Sequence, residues 1–105
     1  MYNDGMSGLS FEWDEKKNEA NQAKHGVSFE EARTVFYDER ALLIDDPAHS
    51  DEEGRFVLMG MIGSLRQLVV CHCYRSGDGD DLIRIISARK AERHERADYE
   101  CRWKR

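Results

Sequence analysis

The run Arg84-Ile85-Ile86-Ser87-Ala88-Arg89-Lys90-Ala91 sets two guanidinium groups around a short apolar stretch. Ile85 and Ile86 are β-branched and read as buried strand. Ser87 reads as a helix N-cap, with Ala88 in the first turn. Arg84 and Arg89 then flank a strand–helix junction. Their odd spacing puts them on opposite faces of an ideal strand, and the turn at Ser87 breaks that parity. Two arginine forks beside the free N–H groups of a helix start suit a phosphate. Arg84, Ser87 and Arg89 are therefore candidate phosphate contacts, with Arg75 at the end of the preceding strand. The plainer reading of Arg89 is a surface residue of a first helical turn.

Histidine supplies proton transfer near neutral pH. His25, with Lys24 beside it, ends a helical segment, where it can also serve only to contact a free carbonyl. His49 lies in a polar loop, with Arg55 opening the next strand. Arg55 can join the same basin or simply guard a sheet edge. His72 stands between Cys71 and Cys73, and alternation sends the imidazole away from both thiols. That parity argues against a zinc site, and no metal or other cofactor is expected. His72 is either catalytic on an outward face or a packed, satisfied histidine.

Charge is polarised. Residues 1–53 carry 5 Lys+Arg against 14 Asp+Glu, and residues 54–105 carry 11 against 7, so a half of net −9 meets a half of net +4. The basic residues are placed in an acidic chain, which suits an anionic ligand on one face. Three cysteines do not make a disulfide framework, so a reduced cytoplasmic protein is expected. No apolar stretch approaches the ~20 residues of a membrane span.

These side chains need a scaffold, and 105 residues provide one domain, 11–105, after a polar flexible leader, 1–10. Phe11-Glu12-Trp13 reads as a short strand. Asp14 caps a helix from Glu15 to His25 with Ala20 and Ala23 on its buried stripe, and Gly26 ends it. Ser28 and Glu31 form a capping-box pattern ahead of a second helix with Phe29, Ala32, Val35 and Phe36 on its apolar face. Strands follow at 41–44, 56–62, 67–74 and 82–87. Gly63-Ser64 is a tight turn, and 48–54 and 76–81 are polar connections. A last helix runs from Ala88 to about Tyr99. The fold class is α+β: two helices, a small antiparallel sheet of about four strands, and a C-terminal helix.

Phe11-Glu12-Trp13-Asp14, Asn21 and the block from Lys24 to Ala32 resemble the start of the BrnT family. His49-Ser50, Arg55, Gly60, and the Arg84–Arg89 run with Glu95 and Tyr99 continue the resemblance over residues 11 to 100. That family comprises RelE-like ribonuclease toxins of bacterial type II toxin–antitoxin pairs. The resemblance implies a metal-independent endoribonuclease that inhibits translation. It also implies a cognate antitoxin, BrnA-like, and a heterotetramer. RNA cleavage needs a base for the 2′-OH, charge at the phosphate and an acid for the leaving oxygen. Lys24, His25, His49, Arg55, His72, Arg84 and Arg89 are the catalytic candidates, and Glu95 and Tyr99 gain interest from the resemblance. Two departures stand out: an acidic connection at Gly77-Asp78-Gly79-Asp80-Asp81, and Ser64-Leu65-Arg66 where a turn glycine is more usual. The competing readings are a silent nucleic-acid-binding module of the same fold and a protein adaptor using Glu30, Glu31 and Asp38.

Overall fold

Val57, Met59, Val69 and Cys71 are buried, and so are Leu68, Val70 and His72, which alternate with them. Both faces of the central strands are thus covered, and such strands read as near-continuous apolar runs. The structure is a computed structural model describing residues 2–6, 9–44, 54–76 and 81–103. Its elements are β1 (Tyr2–Met6), β2 (Leu9–Glu12), α1 (Glu15–His25), α2 (Phe29–Ala32), β3 (Leu42–Ile44), β4 (Arg55–Met61), β5 (Gln67–Ser76), β6 (Asp81–Lys90) and α3 (Arg93–Trp103). A 3-10 turn over Arg33–Tyr37 follows α2 directly.

The sheet has six strands in the order β1-β2-β6-β5-β4-β3. It is mixed, because β2 lies parallel to β6 while the other pairs are antiparallel. This corrects the expected four-stranded antiparallel sheet. Local turn signals reveal hairpins, whereas a parallel pair is joined by a long crossover that leaves no local mark. The expected leader also contributes structure: Tyr2 pairs with Glu12 and Asn3 with Phe11. The expected connection 48–54 and turn 76–81 lie largely outside the described residues.

α1 starts and stops as its sequence dictates. The Asp14 side chain accepts from the Lys16 N–H, and Gly26 takes φ 68° at the C-terminus. Its buried face is not the expected one. Ala20 and Ala23 are exposed, and the buried residues of α1 are Asn18 and Asn21. Asn18 Oδ1 accepts from the Phe29 N–H at 2.8 Å, so it holds the start of α2. Asn21 donates to the Val27 carbonyl at 2.9 Å and to the Ala88 carbonyl at 2.8 Å, and it accepts from the Ala88 N–H at 3.1 Å. Along β6, β2 reaches only Leu82–Arg84, so among the described residues the far half of β6 has no strand on that side. Asn21 satisfies that buried edge with an amide in place of a strand. At α2 the Ser28–Glu31 capping box forms in both directions.

β6 corrects the reading of Ser87. The strand continues through Ser87 to Lys90, so Ser87 caps no helix and α3 begins only at Arg93. Pairing with β5 passes from Ile85–His72 to Ser87–Cys71, which leaves Ile86 as a bulged residue. The bulge shifts the side-chain parity. Arg84 is opposite Cys73 and Arg89 is opposite Val69, so the two arginines share one face. Parity is broken as expected, but by a bulge and not by a turn into a helix.

α1 and α2 cover one face, over Phe11, Trp13, Leu68, Val70, Ile83, Ile85 and Ala88. Tyr99 of α3 packs on the other, with Val57, Met59, Val69, Cys71 and Ala91. The Tyr99 hydroxyl donates to Asp38 Oδ2 at 2.5 Å, and the same oxygen accepts from the Met61 N–H at 2.8 Å. Burial acts to raise the Asp38 pKa, but hydrogen bonds from Met61, Tyr99 and Arg40 outweigh it and hold the carboxyl below its usual range. Gly60 is needed here: a Cβ would lie 3.0 Å from Asp38 Oδ2 and 3.0 Å from Val35 Cγ1.

Candidate active site

The C-terminal turn of α1, the end of β6 and the entry to α3 border an open cleft of about 470 Å³ lined by Lys24, His25, Arg89, Lys90 and Glu92. Helix chemistry places Lys24 and His25, because a last turn tolerates cations. The Asn21–Ala88 contact docks that turn against β6. Arg89 reaches its position because the bulge turned its side chain toward α3.

Arg89 is fixed by Glu95. Its Nη1 and Nη2 donate to Glu95 Oε1 and Oε2 at 2.8 and 2.9 Å, a two-point fork. Glu95 is 6 % exposed. It also accepts from the Glu92 N–H at 2.8 Å, closing the start of α3. The Arg89 hydrogen bonds lower the Glu95 pKa, burial opposes this, and the Glu92 N–H adds to the lowering. Glu95 is therefore a fixed anion that aims a guanidinium, not a proton donor at neutral pH.

Arg84 is held in a parallel way. Its Nη1 donates to Glu12 Oε2 at 3.0 Å, and Arg75 Nη1 lies 3.3 Å from the same oxygen. Arg55 and Arg84 stand opposite Cys73 on its two sides. Glu12, Arg84, Cys73 and Arg55 thus form one row across four strands. Ser87 lies on this face between the two arginines.

Two expected site residues fall elsewhere. His72 is 0 % exposed, on the face with Leu68 and Val70, and its ring packs edge-on to Phe36 and Tyr74. Nδ1 lies 3.2 Å from the Val70 carbonyl and Nε2 lies 3.3 Å from the Tyr74 hydroxyl. A carbonyl only accepts, so Nδ1 carries the proton and Nε2 accepts from Tyr74. Burial lowers the His72 pKa, and the Val70 contact opposes this in part. The packed-histidine reading is the one the geometry supports. Tyr99 is likewise buried, on Asp38, and anchors α3. His49 lies outside the described residues.

Glu12, Lys90 and Glu92 stand beside the candidate residues without having been singled out by the sequence, and Asp38, expected on an adaptor face, instead accepts from Met61 and Tyr99. Glu12 had no local signal, because its partner lies 72 positions away across a parallel pair. Lys90 ends that run and Glu92 follows it, and a helix from Ala88 gives neither a place beside His25. Among the described residues, Glu92, His94 and Glu95 bring ligand-type atoms within 4.8 Å of one another. Glu95 already accepts from Arg89 and Glu92, and the guanidinium opposes a cation there.

Residues 13–95 match the family described as the ribonuclease toxin, BrnT, of type II toxin–antitoxin systems. No curated protein matches the chain. Among solved structures, the chain is similar to the Brucella abortus ribonuclease toxin BrnT, whose crystal structure was determined at 1.1 Å resolution. Identity is 22%, the TM-score is 0.59, and the match covers 83% of this chain and 100% of that one. At that identity the likeness concerns the fold. The family match spans most of the chain, from just after β2 to the first turn of α3, so this protein belongs to the BrnT family of ribonuclease toxins of type II toxin–antitoxin systems.

Proposed function

We propose that this protein is a metal-independent endoribonuclease whose reaction takes place in the cleft of Lys24, His25, Arg89 and Lys90. The carrying observation is that one cleft gathers an imidazole, two ammonium groups and a guanidinium already aimed by Glu95. The fold and the family membership support the reaction class.

In this reading Arg89 binds the scissile phosphate and stabilises charge developing on it. His25 takes the proton of the ribose 2′-OH. The 2′-oxygen bonds to phosphorus as the bond from phosphorus to the 5′-oxygen breaks. An ammonium of Lys24 or Lys90 protonates the leaving 5′-oxygen. The products are a 2′,3′-cyclic phosphate and a 5′-hydroxyl, and exchange with water resets both groups. Arg55, Arg75, Arg84 and Ser87 lie outside this step and guide the RNA along the same face. The protein acts in the cytoplasm, cleaves RNA to inhibit translation, and is neutralised by a BrnA-like antitoxin in a heterotetramer. Among the described residues, no helix is long and apolar enough to cross a membrane.

Purified protein incubated with RNA and EDTA tests this. Wild type should cleave and leave cyclic phosphate ends, while His25→Ala and Arg89→Ala should lose at least about 100-fold in rate. Cleavage that EDTA abolishes, or that survives both variants, sinks the proposal. Binding of RNA without cleavage favours the silent-module reading instead.

A further inference from the structure

Arg75 and Arg84 converge on a single carboxylate oxygen. Arg84 Nη1 lies 3.0 Å from Glu12 Oε2, and Arg75 Nη1 lies 3.3 Å from it. The two arginines come from neighbouring antiparallel strands, and Glu12 comes from β2 on the other side of β6. One oxygen taken by two guanidinium groups is also how a phosphate oxygen is held. The cluster carries two positive charges and one negative, a net of one positive charge, which matches one phosphodiester. Its side chains are reachable: relative exposures are 58% for Arg75, 30% for Arg84 and 23% for Glu12. Ion pairs this exposed are weak enough to exchange.

The position is set relative to the cleft. Arg84 and Arg89 share a face of β6, five positions apart with one bulged residue between them. That is roughly 14 Å along the strand between their backbones. Arg84 is drawn to Glu12 and Arg89 to Glu95, so the two guanidinium groups are held by different carboxylates and serve different phosphates.

We infer that Arg75 and Arg84 form a second phosphodiester subsite, for a flanking phosphate of the RNA, in which Glu12 is an internal counter-anion that limits affinity. This rests on the ribonuclease reading for the identity of the ligand, but the anion site stands on its own geometry. Glu12 occupies the subsite when it is empty and yields to a phosphate oxygen when RNA arrives. The carboxylate weakens binding by repulsion, so an acidic protein keeps its RNA affinity low and salt-dependent.

The test uses the full chain with a 2′-deoxy oligonucleotide that cannot be cleaved, titrated over a salt series, and separately with inorganic phosphate. Glu12→Gln should bind the oligonucleotide at least about threefold more tightly, with a salt slope steeper by about 0.7. It should also gain phosphate affinity. Adding Arg75→Ala or Arg84→Ala should abolish both gains. A folded Glu12→Gln protein with wild-type affinity and slope overturns the inference. Should Glu12→Gln fail to fold, Arg75→Ala decides: a slope shallower by about 0.7 supports the subsite, and an unchanged slope overturns it. Phosphate gain in Glu12→Gln together with no cleavage of RNA by wild type keeps the anion site and removes the ribonuclease reading. RNA cleavage by wild type with binding indifferent to Glu12 does the reverse.

Discussion

Glu95 grips Arg89 through both carboxylate oxygens, at 2.8 and 2.9 Å, across the passage from β6 into α3. The pair is local in sequence and joins two elements that face different neighbours. It also keeps the guanidinium at the mouth of the cleft with a defined orientation. Glu95→Gln should leave Arg89 without its charged partner and cost about 2–3 kcal/mol, less than a fully buried pair because Arg89 is partly exposed. RNA cleavage should fall with it, and Arg89→Lys should not restore the rate, since an ammonium lacks the fork. Urea unfolding and initial cleavage rates on both variants check this.

Asn21 and Ser87 offer a contrast. Asn21→Ala removes three hydrogen bonds from buried backbone groups of Val27 and Ala88. The expected loss is about 2–4 kcal/mol, because the abandoned groups stay buried. Ser87→Ala should cost less than about 0.5 kcal/mol, since Ser87 lies within a strand and caps nothing. A Ser87 loss near 1 kcal/mol would instead signal a cap. Chemical denaturation of the two variants decides.

His72 makes stability depend on pH. Its folded pKa is lowered, chiefly by burial, below the unfolded value of about 6.5. Above that value both states are neutral and the residue adds no slope. As pH falls below about 6.5, the unfolded chain takes up a proton that the folded chain refuses, so stability drops until the folded pKa is reached. His72→Phe should flatten this part of the profile. Melting temperatures of wild type and variant between pH 7.5 and 5 measure it, and parallel curves would show that another group is responsible.

Leu65 sits in the β4–β5 turn at φ 65°, the left-handed region that side chains rarely enter. It is 80 % exposed, so little packing offsets the strain. Leu65→Gly should stabilise the protein by about 0.5–1 kcal/mol, the relief of strain being larger than the added freedom of the unfolded chain. Equilibrium unfolding would show a raised midpoint, and an unchanged or lowered one would refute the account.

Much of this protein is written locally. Asp14, Gly26 and the Ser28–Glu31 box fix helix ends because each acts within four residues of its own backbone. The strands at 42–44, 55–61 and 67–76 follow from apolar runs and turn residues. Lys24, His25 and Arg89 are candidates on residue type and chain position alone, and the fold brings the three to one cleft. Tertiary structure decided the rest. Ser87 carries a cap residue's identity, yet pairing with Cys71 keeps it in the sheet. Asn18 and Asn21 look like solvent residues on a polar helix, and become buried because unpaired backbone elsewhere needs their amides. His72 is catalytic in type but lies beneath aromatic rings that the fold brings over it. Glu12 meets Arg75 and Arg84 only because β2 returns parallel to β6, a long-range pairing that no local spacing encodes.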